Sequence, residues 1–314
     1  MNRRSFARGA VAATLVALLG GGAAASGAPP EPFHLRPIEP GTGALFEARP
    51  VLFDTNLGRN LDLRFGVGAL AEVRAAILDR HVHFVLGFPF GIGFAERHSP
   101  LGLGNVDLGA GVAGSLGSRV DWGIGARFEP STAATSDPAP QWAGLASRPY
   151  DMQRHLPAST NGHLVVDVAG DFGSYFAQVE TGLGLHDPDD FDPELFARLG
   201  ALVGRSVAPW ADLMFEISWL GAPLESEWNG QASVQPGVRF HRQPFDLAVY
   251  GSIPLDSPLG GTAAALGLQG IWTPGDARPS PLGLHDSLPQ RERTVRRERQ
   301  ERRRNRAGED EPRG

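Results

Sequence analysis

The feature that most constrains this chain is the two-residue alternation of residues 82–94, VHFVLGFPFGIGF. Bulky apolar side chains occupy the even positions from Phe84 to Phe94, whereas the odd positions carry mainly glycine and other small or polar residues. Successive side chains of a strand point to opposite faces of its sheet, so one face is bulky and the other nearly bare. The same period runs through residues 61–77, a stretch longer than most strands of soluble sheets. The pattern predicts an all-β fold.

The connections between the alternating segments also alternate, between short turns and long loops. With a weak first strand near residues 45–53, about 12 antiparallel strands are predicted, with both ends on the short-turn side. Short turns are expected at 79–81, 116–118, 170–173, 206–209 and 241–244, and long loops at 95–102, 130–160, 186–194, 221–230 and 255–261. This arrangement is typical of an up-and-down transmembrane β-barrel of the bacterial outer membrane. Lipid leaves no partner for an open sheet edge, so the sheet is expected to close.

A soluble periplasmic β-sandwich is the alternative, because its strands alternate as well. In a sandwich the apolar face is the core and the polar face meets water. Three features favour the barrel instead: the length of the strands, the glycine on the polar face and the alternation of loop lengths.

Four segments are predicted along the chain. Residues 1–28 resemble a secretory signal peptide, with Arg3 and Arg4 before a short apolar core and small residues near the end. The apolar core is too short to span a bilayer, and Sec and twin-arginine export both remain open. Residues 29–43 are expected to be a Pro-rich linker, 44–273 the barrel and 274–314 a disordered Pro/Arg-rich tail. The chain has no cysteine, which excludes disulfides and thiolate metal sites.

Charge is distributed unevenly along the chain. The formal net charge is −6, yet residues 291–314 hold ten arginines against six acids, so the body is strongly acidic. The body therefore lacks a basic nucleic-acid face, and no nucleic-acid partner is expected. In an exported protein the tail would meet anionic lipid headgroups or cell-wall polymers, or remain a solvated disordered segment.

The side chains of the two strand faces give two sets of candidate residues. The face with the bulky residues is expected to contact outer-membrane lipid through Phe84, Leu86, Phe88, Phe90, Ile92, Trp122, Phe215, Trp219 and Trp272. The opposite face is expected to line the lumen with Asp62, Arg64, Glu72, Arg74, Asp107, Asp121, Arg127, Glu129, Asp167, Glu180, Arg198, Asp212, Glu216, Arg239 and Asp246. Such charges could line a channel or neutralise one another as packed ion pairs. At about 12 strands a narrow or partly occluded pore is favoured.

Two groups of residues could in principle bind a metal ion. Residues 186–194 form an acidic loop, but they lack the glycine and spacing of an EF-hand calcium loop. His81 and His83 lie two residues apart without a third ligand. No metal, cofactor or catalytic set is predicted from either group, and no enzymatic activity is expected.

Three short motifs resemble a known family of barrels. Residues 86–91 (LGFPFG), 102–109 (GLGNVDLG) and 235–240 (QPGVRF) are similar to stretches of outer-membrane transporter-like barrels labelled as meta-pathway of phenol degradation. Asn105 stands where that family usually has Asp, and about 40 residues follow Trp272, where its barrels tend to end. The resemblance spans roughly residues 60–273 and implies a barrel with a transport role.

The resulting functional hypothesis is a passive channel or transporter for small solutes, hydrophobic ones included. The alternatives are a non-transporting surface or structural protein that binds a partner through residues 130–160 or the basic tail, and the soluble sandwich. The sequence names neither the solute nor the oligomeric state.

Overall fold

The structure is a computed structural model. It describes residues 31–38, 41–53, 63–78, 81–95, 101–117, 119–133, 138–189, 192–222, 230–242, 244–255 and 264–274. The predicted signal peptide and nearly all of the predicted tail lie outside these ranges.

The described chain is built almost entirely from strands. They are β1 (Gly43–Leu52), β2 (Leu63–Ile77), β3 (Val82–Ala95), β4 (Leu101–Leu103), β5 (Asp107–Leu116), β6 (Val120–Glu129), β7 (Ser159–Asp171), β8 (Tyr175–Pro188), β9 (Glu194–Ala208), β10 (Ala211–Gly221), β11 (Gly230–Arg242), β12 (Phe245–Pro254) and β13 (Ala264–Trp272). The long connection between β6 and β7 contains helix α1 (Pro138–Ser147) and the 3₁₀ helix Pro149–His155. No helix in the described ranges is long and apolar enough to cross a membrane.

The sheet closes on itself. Each strand pairs antiparallel with its neighbours in the chain, and β1 pairs both with β2 and with β13, for instance Ala44 with Trp272. The short β4 and the longer β5 pair with different halves of β3, so together they form one wall element of a 12-strand barrel. The predicted fold class and strand number are confirmed. Closure gives each of the long wall strands a partner on both sides, as a sheet in hydrocarbon requires, whereas the three-residue β4 pairs with β3 alone.

The distribution of side chains is inverted relative to a soluble protein. Large apolar residues cover the outer surface, and Phe84, Leu86, Phe88 and Trp272 are all exposed. The other predicted lipid-facing residues, Phe90, Ile92, Trp122, Phe215 and Trp219, lie on the same outer face and are partly exposed. The inner face instead buries charged residues such as Asp107, Asp167 and Arg239. A closed barrel with an apolar outside and a charged inside is the architecture of an outer-membrane protein, not of a sandwich.

The position of Phe88 on this surface gives a test of membrane insertion. Phe88 lies midway along β3 and points outward, so Phe88→Arg should destabilise the barrel in bilayers by ~2–4 kcal/mol. Phe172, exposed in the short turn between β7 and β8, is a matched control, because an arginine near the interface costs only ~0–1 kcal/mol. Urea titration of folding into vesicles measures both; equal costs would contradict the assignment of the outer face.

Candidate functional site: an occupied barrel lumen

The residues predicted to line the lumen lie on the inner face wherever the structure describes their side chains. Glu72, Arg74, Asp107, Asp121, Glu129, Asp167, Glu180, Arg198, Asp212, Glu216 and Arg239 are buried, and Arg127 and Asp246 are partly buried on the same face. Asp62 lies outside the described residues, and Arg64 is described only as backbone of β2. The lumen that these residues surround is not empty.

Two segments of the chain fill the lumen. The first, residues 31–38, is called the N-terminal plug; it was expected to be a linker, yet Phe33, Leu35 and Ile38 are buried inside the barrel. The second, residues 138–155, is called the loop plug and comprises α1 and the 3₁₀ helix. It was expected to be part of a long outer loop, yet Ala143 and Tyr150 are almost completely buried. Both corrections have one cause: a wall of 12 strands encloses more space than its own side chains fill.

The loop plug packs on a flat patch of glycines. Gly66 of β2 pairs directly with Gly93 of β3, and Gly68 pairs with Gly91. A Cβ added at Gly66 would lie 2.7 Å from the Ala143 Cβ, and at each of the other three positions it would overlap atoms of α1. These glycines therefore let a helix approach the wall more closely than any side chain would permit.

The two halves of the loop plug are held against each other by His155. A Cβ on Gly144 of α1 would overlap the His155 ring, so glycine is required at that position of the helix. Burial, together with the nearby arginines Arg154 and Arg148, lowers the pKa of His155 to about 3. His155 is therefore neutral at physiological pH and acts as a packing group.

The loop plug is joined to the wall by ion pairs. Arg154 contacts Asp107 of β5 at 2.7 Å and Glu129 of β6 at 3.4 Å. Asp151 contacts Arg198 of β9 at 2.8 Å. Burial alone would raise the pKa of Asp151, but Arg154, Arg148 and Arg198 outweigh it and hold that pKa well below its usual range. The carboxylate of Asp151 is therefore ionised and fixes the 3₁₀ helix by charge.

The N-terminal plug is held through its backbone. One carboxylate of β10, Glu216, accepts hydrogen bonds from the amides of Phe33, His34 and Leu35 at 2.8–2.9 Å. Three hydrogen bonds to one side chain fix the turn of this segment.

A second wall carboxylate connects the two plugs. The Oε2 atom of Glu180 accepts a hydrogen bond from the Arg36 amide, and its Oε1 atom accepts one from the Tyr150 hydroxyl, both at 2.6 Å. Arg49 of β1 likewise donates to Ser147 O at 3.1 Å and to Phe33 O at 3.2 Å. The plugs thus share wall partners and form one polar assembly.

The side chain of Arg36 packs against the backbone of the barrel wall. Its guanidinium lies over Gly111 and Gly125, which pair with each other across β5 and β6. A Cβ on either glycine would overlap it. The Nη2 atom is 2.6 Å from the Nε2 atom of His83, the residue that pairs with Gly111 from β3. Three neighbouring strands therefore cooperate to hold one plug residue.

Asn105 forms hydrogen bonds to both the start and the end of the β6–β7 connection. Its Nδ2 atom donates to Leu156 O at 2.9 Å, with longer contacts to Gln153 O and Ser159 O. Its Oδ1 atom accepts from the amides of Thr132 and Ala133 at 2.9 and 2.8 Å. An amide can do both, whereas a carboxylate is acceptor-only, which explains why Asn serves here.

The candidate metal residues are not assembled into a site. His81 is exposed at the turn, where its Nδ1 atom lies 3.1 Å from Ala113 O, whereas His83 is buried against Arg36. Within the described ranges no group of three or more potential ligands could hold a metal ion.

A residual cavity remains where the two plugs meet the wall. Its lining includes Arg36, Arg74, Arg127, Arg148, Arg154 and Arg198. Half of these arginines belong to the plugs, so the present charge of the cavity is not that of the wall alone.

Comparisons with known proteins give no functional assignment. No family model matches the chain, so the resemblance to the phenol meta-pathway barrels is not confirmed, and no curated protein matches it either. Solved structures with a similar arrangement include the KdgM porin (8% identity, TM-score 0.44, 72% of this chain and 97% of that one). Others are the β domain of the Bordetella autotransporter BrkA (10%, 0.41, 74% and 100%) and the translocator domain of NalP from Neisseria meningitidis (8%, 0.41, 74% and 87%). The fold assignment rests on the strand pairings.

The packing of Arg36 against Gly125 provides a test of the N-terminal plug. Gly125→Val should expel the Arg36 guanidinium and loosen residues 33–36 without breaking the wall, because valine suits a strand. Hydrogen exchange should then speed up at the amides of residues 33–36 and stay slow in β5 and β6. Gly270→Ala, whose Cβ would meet nothing closer than 3.9 Å, is the control. Unchanged exchange in Gly125→Val would contradict the packing of Arg36 against Gly125.

The role of Asn105 provides a test of the loop plug. Asn105→Asp removes the donor and puts negative charge against three carbonyl groups, so the barrel should lose ~1–3 kcal/mol of stability. Asn105→Ala removes the donor without adding charge and should cost less. Thermal unfolding in detergent measures both losses of stability. An Asp variant as stable as the wild type would show that the hydrogen bonds of the Asn105 amide do not stabilise the loop plug.

Proposed function

We propose that this chain is an outer-membrane channel whose lumen is occluded in the state described and passes small solutes when the plugs move. The observation that carries the proposal is the chemistry of the interface between plugs and wall. Many of its contacts are hydrogen bonds and ion pairs, such as Glu216 with the Phe33–Leu35 amides and Arg154 with Asp107, beside apolar contacts such as the Phe33 ring stacked on Tyr250. Water can replace the polar partners when the plugs move.

The chain path also supports movable plugs. The N-terminal plug precedes β1 and the loop plug lies between β6 and β7, so neither segment is part of the barrel wall. Either could leave the lumen while the strand pairings stay intact. The cavity between them marks where the packing is already incomplete.

A second candidate function is a non-transporting barrel that serves a structural role. The observation in its favour is the high degree of charge pairing, in which Asp151 alone contacts Arg148, Arg154 and Arg198 within 4.0 Å. Breaking such buried pairs is costly, which would keep the lumen closed. Most of the loop plug is buried, so a partner that binds residues 130–160 would have to contact exposed flanking residues such as 131–132 and 157–158.

Conductance in planar bilayers separates the two candidates. A plugless variant begins its mature chain at Gly41 and replaces residues 138–155 with a short Gly/Ser linker. The channel proposal expects rare, brief openings for the wild type and sustained conductance for the plugless variant, because the blocking segments are gone. A folded, heat-modifiable plugless barrel that conducts no better than the wild type would leave the structural role.

The proposal includes export and location. Residues 1–28 would act as a cleaved signal peptide, and the mature chain would reside in the outer membrane with its short turns facing the periplasm. Residues 275–314 would then extend into the periplasm near anionic headgroups. Amino-terminal sequencing of the protein from purified outer membranes tests both the cleavage and the location.

A further inference from the structure

The charges of the barrel wall, considered without the plugs, are strongly unbalanced. Among the side chains that the structure describes, ten carboxylates of the strands point inward, against five arginines. The arginines are Arg49, Arg74, Arg127, Arg198 and Arg239; the carboxylates are Glu47, Glu72, Asp107, Asp121, Glu129, Asp167, Glu180, Asp212, Glu216 and Asp246. The wall of an open lumen would therefore be acidic.

Arginines of the plugs offset part of this acidity in the occluded state, although the plugs also carry the acids Glu31 and Asp151. Arg154 is the only described arginine within 4.0 Å of Glu129, and it also pairs with Asp107. Glu216 has no described arginine within that distance and is satisfied by three plug amides. The plug therefore places positive charge and N–H donors on the wall carboxylates, as a cationic solute would.

One wall carboxylate stays unsatisfied even with the plugs in place. Asp167 of β7 is fully buried on the inner face beside the carboxyl group of Glu180, and no described N–H group donates to its oxygens. No described arginine lies within 4.0 Å of it. A carboxylate that points inward and accepts no hydrogen bond from an N–H group can bind a cation in the lumen.

We propose that the open lumen is cation-selective, so that the solutes it passes are small cations or cationic organic molecules, for which the arginines and amides of the plugs substitute in the occluded state. Acidic residues lining a pore favour cations by direct attraction, and the low-dielectric wall around them strengthens that attraction. This inference rests on the proposed channel function and adds its substrate class.

The selectivity of the plugless variant tests the inference. In a KCl gradient across a planar bilayer, the reversal potential should show that K⁺ permeates ~3-fold or more over Cl⁻. A folded variant that conducts with no preference, or prefers Cl⁻, overturns the inference and leaves the channel function standing. A folded variant without conductance overturns the channel function itself.

A matched pair of triple variants then locates the cause in the wall. In the plugless background, Glu129→Gln, Asp167→Asn and Glu216→Gln together should bring the permeability ratio ~2-fold closer to one. The control removes three exposed acids outside the lumen, Asp187→Asn, Asp189→Asn and Asp192→Asn, and should leave the ratio nearly unchanged. Equal effects of the two sets would overturn the assignment to the wall.

A second variant covers the case in which the plugless chain does not fold. Arg154→Ala with Tyr150→Phe keeps every segment but removes the contacts of the loop plug with Asp107, Glu129 and Glu180. In the same KCl gradient, the reversal potential of the openings of this variant should show that K⁺ permeates ~3-fold or more over Cl⁻. Openings with no preference, or with a preference for Cl⁻, would overturn cation selectivity.

Discussion

The pairing of β1 with β13 is the constraint on which the rest of the structure depends. Hydrocarbon offers no hydrogen bonds, so each backbone group left unpaired at an open edge would cost several kcal/mol. Closing the sheet removes both edges and forces each strand to present one face to lipid and the other to an enclosed space. The outer face must then be apolar, and most charged side chains of the wall point inward.

The enclosed space has to be filled or hydrated, and here the chain fills it with two of its own segments. Their fit depends on where the wall has no side chains. The paired glycines Gly66 and Gly93, with Gly68 and Gly91 beside them, accept α1, and Gly111 with Gly125 accepts Arg36. The carboxylates Glu180 and Glu216 then bind donors of the plugs. The glycines of the wall thus determine the shape of the interior, and its carboxylates hold the plugs in place.

The wall was predictable from the sequence because its signal is local. The alternation in residues 82–94 identifies both faces of β3 without any knowledge of its neighbours, and the alternation of loop lengths supplies the strand count. The plugs were not predictable in this way. Residues 138–147 contain two prolines and no apolar stripe, and residues 31–38 lie in a Pro-rich stretch that is typical of linkers. Their binding sites exist only once strand register places Gly66 beside Gly93, which is a non-local fact. Had that register been known, the unbroken glycine patch would have indicated a close packing partner.

The position of the N-terminal plug also constrains how the barrel can fold. Phe33 binds Glu216 across 183 residues of chain, and its segment immediately precedes β1, the strand that completes the ring with β13. A segment held inside a closed ring has to be in place when the ring closes or has to enter it afterwards. Contacts so distant in sequence form late and slowly. Closure of the wall and enclosure of the N-terminal plug are therefore coupled in the last step of assembly. A chain whose wall closed before this plug had entered would form a barrel with an incorrectly filled lumen.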